Sequence, residues 1–122
     1  MASLVPILAV DDSASIREMI ALVLEPHGYQ VITASNGQEA LRKLHAATEP
    51  HIILLDVVMP LMDGIALCNI IKSDPLLRNA GHHIVLMSST SRLAAPDVPG
   101  AVSHLAKPFS RQDLITTVNT VR

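Results

Sequence analysis

Aromatic residues are almost missing from this chain. Among 122 residues there is no Trp, and Tyr29 and Phe109 are the whole complement. Without stacking rings the sequence argues against a site for single-stranded nucleic acid. A net charge of −2 likewise offers little to a phosphate backbone. Cysteine is nearly missing too. Cys68 alone cannot form an internal disulfide, which fits a reducing compartment. No apolar run approaches the ~20 residues that would span a bilayer. Met1-Ala2-Ser3 opens the chain without the charged and apolar regions of a signal peptide. The expectation is a cytoplasmic protein with neither nucleic-acid contact nor membrane insertion. Gly-rich phosphate loops of the GxxxxGK-S/T or GxGxxG kind are also missing, so direct use of a nucleotide is not expected.

What is present is aliphatic. Apolar residues make up 49% of the chain, enough for one domain's core at this length, and residues 1–122 read as a single domain. Short apolar runs alternate with amphipathic stretches. Pro6 to Val10, Gln30 to Ala34 and Ile52 to Leu55 read as strands, the first and third apolar at nearly every position, as in a sheet buried on both faces. Ile84 to Met87 is a fourth strand and Val102 to Ala106 a weaker fifth. Between them Ile16, Met19, Ile20, Val23 and Leu24 recur at helical spacing after Asp12-Ser13. Ala40, Leu41 and Leu44 do so after Asn36-Gly37. Asp63-Gly64 can cap a helix that runs to about Lys72 and ends at Ser73-Asp74-Pro75. Ser110 and Asp113 form a capping box for the last helix, with Leu114, Ile115, Val118 and Val121 inward. Such alternation implies a doubly wound α/β fold with a parallel sheet.

Ligand sites in doubly wound folds lie beyond the carboxyl ends of the strands. Strand one ends here in Asp11-Asp12, strand three in Asp56 and strand four in Ser88, while strand five runs into Lys107-Pro108. With strands one and three as neighbours, three carboxylates share one shallow pocket and require a cation or a proton. An open site of oxygen ligands suits Mg²⁺. A lysine and a hydroxyl beside it suit a phosphoryl group, and a carboxylate can accept one as an acyl phosphate. Asp63 reads as turn and cap rather than as a ligand. His82-His83, adjacent on a strand, point to opposite faces and read as structural or solvated.

Taken in order, Val10-Asp11-Asp12-Ser13, Leu54 to Gly64 (LLDVVMPLMDG), Leu86-Met87-Ser88-Ser89, Gly100-Ala101 and Lys107-Pro108-Phe109 carry a family likeness. The sequence resembles the receiver domain of bacterial response regulators, the CheY-like fold of two-component signalling, over essentially its whole length. The resemblance implies a five-stranded sheet of order 2-1-3-4-5 and phosphorylation of Asp56 by a sensor histidine kinase or a histidine phosphotransfer protein. It implies Mg²⁺ held by Asp12, Asp56 and the backbone carbonyl of Val58, with Asp11 helping through water. Ser88 would be the switch hydroxyl and Lys107 the phosphate sensor, and the Lys107–Pro108 bond would be cis. A downstream protein would read the phosphorylated state. The domain would not be an enzyme beyond its own phosphoryl transfer and hydrolysis.

Two positions depart from the family pattern. His104 stands three residues before Lys107, where the family has Tyr or Phe, so the switch is expected to be wired differently. Pro96 and Pro99 break the stretch from Ser89 to Gly100, so the helix between strands four and five is expected to be shortened or missing. Its loss would expose apolar side chains, Leu105 among them. These departures support an alternative function, a phosphate-independent interaction module on a receiver fold. A flavodoxin-like cofactor binder of the same topology is disfavoured by the lack of aromatics near the strand ends.

Overall fold

A computed structural model describes residues 5–59, 62–88 and 101–121, with the side chains of 101 and 102 left aside. In chain order the elements are β1 (Ile7–Val10), α1 (Ala14–Leu24), a 3-10 turn (Glu25–His27), β2 (Val31–Ala34), α2 (Gly37–Ala46) and β3 (Ile52–Asp56). Then follow α3 (Gly64–Ser73), α4 (Pro75–Asn79), β4 (His83–Ser88), β5 (Ala101–Ala106) and α5 (Arg111–Val121). The strands form one parallel sheet of order β2-β1-β3-β4-β5. This is the doubly wound arrangement that the alternating pattern and the resemblance imply.

Burial follows from the layers. Every residue of β1 and β3 is buried, because helices cover both faces and no face is left for polar side chains. The edge strand β2 is only half buried except at Ala34. Two cores result. Leu8, Val10, Ile53, Leu55, Ile84 and Leu86 meet Ala40, Leu44, Leu67, Ile71 and Leu77 on the α2–α3–α4 face. Ile7, Ala9, Ile52, Leu54, Val85, Met87 and Leu105 meet Ile20, Val23, Leu24, Leu114 and Val118 on the α1–α5 face. At ~1.5–3 kcal/mol per fully buried aliphatic side chain, these layers dominate the favourable side of folding.

Helix starts are set by side chains. Ser13 accepts from the Ile16 N–H, Asn36 from Glu39 and Asp63 from Ala66, at 3.4, 2.8 and 2.8 Å. Such a cap stabilises by ~1 kcal/mol. Ser110 and Asp113 exchange bonds of 3.0 and 3.1 Å, closing the expected capping box. The helix capped by Asp63 ends at Ser73 as expected, and a further short helix follows: Asp74 accepts from the N–H groups of Leu76 and Leu77 and starts α4, with Pro75 in the first turn, where its missing N–H costs nothing. One expectation is corrected: Leu105 is not exposed but 5% accessible. It pairs in register with Met87 and so points into the α1–α5 core, away from the face its neighbour His104 occupies. The expectation for the helix between β4 and β5 falls outside the described residues.

Candidate functional site

Register brings the acidic residues together. Val10 pairs with Leu55 across β1 and β3, so the next residues, Asp11 just past β1 and Asp56 closing β3, stand side by side. Carboxylate oxygens of Asp11, Asp12 and Asp56 lie within 4.8 Å of one another. Asp11 is fully buried and Asp56 is 6% accessible, whereas Asp12 is exposed.

Lys107 is the counter-charge. Its Nζ lies 2.8 Å from Asp11 Oδ2 and 3.3 Å from Asp56 Oδ1. It reaches across from β5 because its own N–H donates to the Ser88 carbonyl at 2.8 Å, and the Lys107–Pro108 bond is cis. Burial works against the ammonium, but hydrogen bonding and charge from Asp11, with Asp56 added, outweigh it and hold the lysine above its ordinary pKa. Asp56 moves the other way from most paired carboxylates. Burial first, then the charge of Asp11, raises it, against the opposing pull of Lys107 and the Val58 N–H.

Asp11 is tied down by more than the lysine. Its Oδ1 accepts from the Ser13 N–H at 2.9 Å, and its carbonyl accepts from Arg17 Nη1 at 2.7 Å. Arg17 escaped the sequence reading, although its place one turn after the Ser13 cap points its guanidinium back toward the strand end. Asp56 accepts a longer bond, 3.4 Å, from the Val58 N–H. Val58 itself is exposed at the rim. Ser88 is buried at the end of β4, one step beyond the Met87 that pairs with Asp56.

Asp63 stays apart as the α3 cap, which matches its reading as a turn residue. The glycine after it has a role the sequence did not disclose. A Cβ on Gly64 would lie 2.4 Å from the Asp56 carbonyl oxygen and 2.9 Å from the Val57 Cα. Gly64 N–H donates to the Val57 carbonyl at 2.8 Å, so α3 begins pressed against the backbone that carries Asp56. His104, opposite Leu86 in β5, is half-buried, and its sealed Nε2 has no partner among the described residues.

The arrangement is an anionic shelf that holds the Lys107 ammonium, open on the Asp12 side. Comparisons with known proteins show the family. The family model described as the response regulator receiver domain matches residues 7–119. Protein PilG of Pseudomonas aeruginosa is 34% identical over 115 residues, which cover 92% of this chain and 83% of PilG. The alkaline phosphatase synthesis transcriptional regulatory protein PhoP of Bacillus subtilis is 38% identical over 120 residues, 94% of this chain but 47% of that regulator. The chain thus spans less than half of PhoP's length. Among solved structures, the chemotaxis response regulator CheY4 of Vibrio cholerae superposes with a TM-score of 0.86 at 32% identity, covering 98% of this chain and 100% of that one. TrrA of Thermotoga maritima, solved in complex with Mg²⁺-BeF, gives 0.83 at 28% identity over 98% and 100% of the two chains.

Proposed function

The chain belongs to the response regulator receiver domain family, and from that premise we propose that it is a phosphoacceptor switch in which Asp56 takes the phosphoryl group. The observation that carries this reading is the 4.8 Å cluster of three carboxylates faced by one lysine. One Asp56 oxygen attacks phosphorus, the bond to the donor's imidazole nitrogen breaks, and an acyl phosphate forms on the carboxyl group. The donor is a sensor histidine kinase or a histidine phosphotransfer protein, and the acceptor unit is the whole of residues 1–122.

The donor set fits Mg²⁺, being all oxygen and rich in negative charge. Asp12, Asp56 and the Val58 carbonyl would hold the ion. Asp11, already committed to Lys107 and the Ser13 N–H, would contribute through water. When bound, the ion supplies positive charge against the phosphoryl oxygens. Asp11 holds the lysine in place, and Lys107 meets the new dianion from the buried side. Ser88 is the hydroxyl donor of this scheme. His104 stands at the position through which the phosphorylated state is passed on to a downstream protein.

Among the described residues no helix is long and apolar enough to cross a membrane, in keeping with the cytoplasmic location we propose. Relatives such as DNA-binding response regulator MtrA of Mycobacterium leprae are longer than this chain, so our proposal of no nucleic-acid contact concerns the receiver unit alone. A phosphate-independent interaction module is the second reading, favoured by the histidine at position 104. Intact mass after incubation with a small acyl phosphate separates the two. The expected result is a gain of one phosphoryl group with Mg²⁺, none without it and none in Asp56→Asn. Equal labelling of Asp56→Asn, or no labelling of the wild type, overturns the proposal.

A further inference from the structure

The opposite end of the sheet holds a cavity that phosphoryl chemistry does not use. It has a volume of about 380 Å³ and lies under α2, where Pro6, Leu8, Ile32 and Leu44 give it apolar walls and Gln30, Lys43, Thr48, Glu49 and His51 add polar groups. That volume falls within the ~300–1,000 Å³ usual for small-molecule sites.

The hydrogen bonds of His51 determine what the wall offers. Its Nδ1 lies 2.8 Å from the Glu49 carbonyl oxygen. A carbonyl can only accept, so Nδ1 carries the proton and Nε2 of the neutral ring carries a lone pair. Nε2 has no partner among the described residues, and it is not sealed from solvent as Nε2 of His82 is. The residue is also held in place, since the His51 backbone N–H donates to His82 Nδ1 at 2.9 Å and the two rings meet edge to face at 5.6 Å.

The cation in the lining is already engaged. Lys43, which also lines the cavity, already donates to the Thr33 carbonyl and pairs with Glu39 at 3.4 Å. A ligand anion would have to compete for it. We propose that this cavity binds a small neutral heteroaromatic or phenolic molecule whose N–H or O–H donates to His51 Nε2 while its ring fills the space between Leu8, Ile32 and Leu44. This goes beyond the phosphoacceptor reading and does not depend on it.

Indole and benzothiophene test the proposal, being alike in shape but with and without a donor. Amide and methyl spectra of the full chain would be recorded at pH 8. Indole is expected to shift Leu8, Ile32, Leu44 and His51 and to bind about fivefold more tightly than benzothiophene, as one hydrogen bond implies. It should move the His51 Nε2 nitrogen resonance upfield from its free-acceptor position. His51→Phe should bring the two probes level. Ala47→Phe, which fills the cavity at its rim without touching His51's hydrogen bonds, should abolish both and guards against a misfolded first variant. Equal affinity of the probes for the wild type, or shifts confined to other surfaces, overturns the proposal. So do concentration-dependent shifts of these residues without probe, which would identify a second copy of the chain as the occupant.

Discussion

At the carboxyl end of the sheet, Asp11 and Asp56 are buried and share the ammonium of Lys107. At the amino end, His51 and His82 are shielded too, but they are tied by backbone donors and acceptors instead of by a countercharge. His82 Nδ1 accepts an N–H, so its ring is neutral, and burial followed by the nearby His51 and His83 lowers its pKa. The difference teaches where this fold stores electrostatic tension. Acidic groups crowd at one end around the Lys107 ammonium. At the other end the polar atoms are neutralised by tautomer choice, and the space beside them is apolar.

Glycine gives the largest test of that contrast. Gly64 has no room for a Cβ, whereas Gly81 has φ +83° and nothing nearer than 3.7 Å. Gly64→Ala should therefore cost about 3 kcal/mol through backbone collision, and Gly81→Ala about 1 kcal/mol through its left-handed conformation. Asn should recover stability at position 81, because it tolerates that conformation, and none at position 64. Urea denaturation of the four variants measures this. Recovery at position 64 would mean that the Asp56 backbone yields to α3.

Removing the cation comes next. Lys107→Ala strands a fully buried carboxylate, and with the lysine partly accessible we expect a loss of about 2 kcal/mol, below the range for a sealed pair. Added Mg²⁺ should shrink the deficit, which thermal melts with and without metal would show. Phosphorylation should persist in this variant, but chemical-shift changes beyond the pocket should diminish. Undiminished changes would remove Lys107 as the sensor.

A smaller effect is expected at the amino end. His82→Gln should cost about 1 kcal/mol at pH 8, the worth of one buried hydrogen bond. The pH dependence gives the sharper result. A histidine whose folded pKa lies below the ordinary value contributes stability that is present above about pH 6.5 and is lost as pH falls, because the unfolded chain takes up the proton first. Wild type should lose more stability than the variant on acidification. Parallel curves would show that His82 is not the titrating group.

The smallest change is a gain. The Asp56 pKa is raised, so the folded state favours the protonated acid, and its contribution is present below the free carboxyl range and lost as pH rises through the folded value. Asp56→Asn should thus be more stable than wild type at neutral pH, by less than about 1 kcal/mol. The advantage should vanish as pH falls into the range where an unfolded Asp titrates. An Asn variant that is less stable at neutral pH would mean that the lysine outweighs the crowding.

Some of these features are local properties of the chain, and the sequence alone determined them. Apolar runs with no alternation can only be strands covered on both faces, so β1 and β3 were readable, and helices that begin at Ser13, Asn36, Asp63 and Ser110 were readable from their caps. Asp11, Asp12, Asp56 and Lys107 stood out because each closes or follows a strand, and in a parallel sheet all carboxyl ends share one side. Tertiary structure decided whatever depends on which atoms approach across the fold. Strand alternation turned Leu105 inward. Gly64 met the Asp56 backbone across a loop, Arg17 turned back onto the Asp11 carbonyl, and a histidine at position 51 found its partner at position 82. No periodicity encodes such distances, because they are set by how strand ends, loops and helices pack to atomic contact.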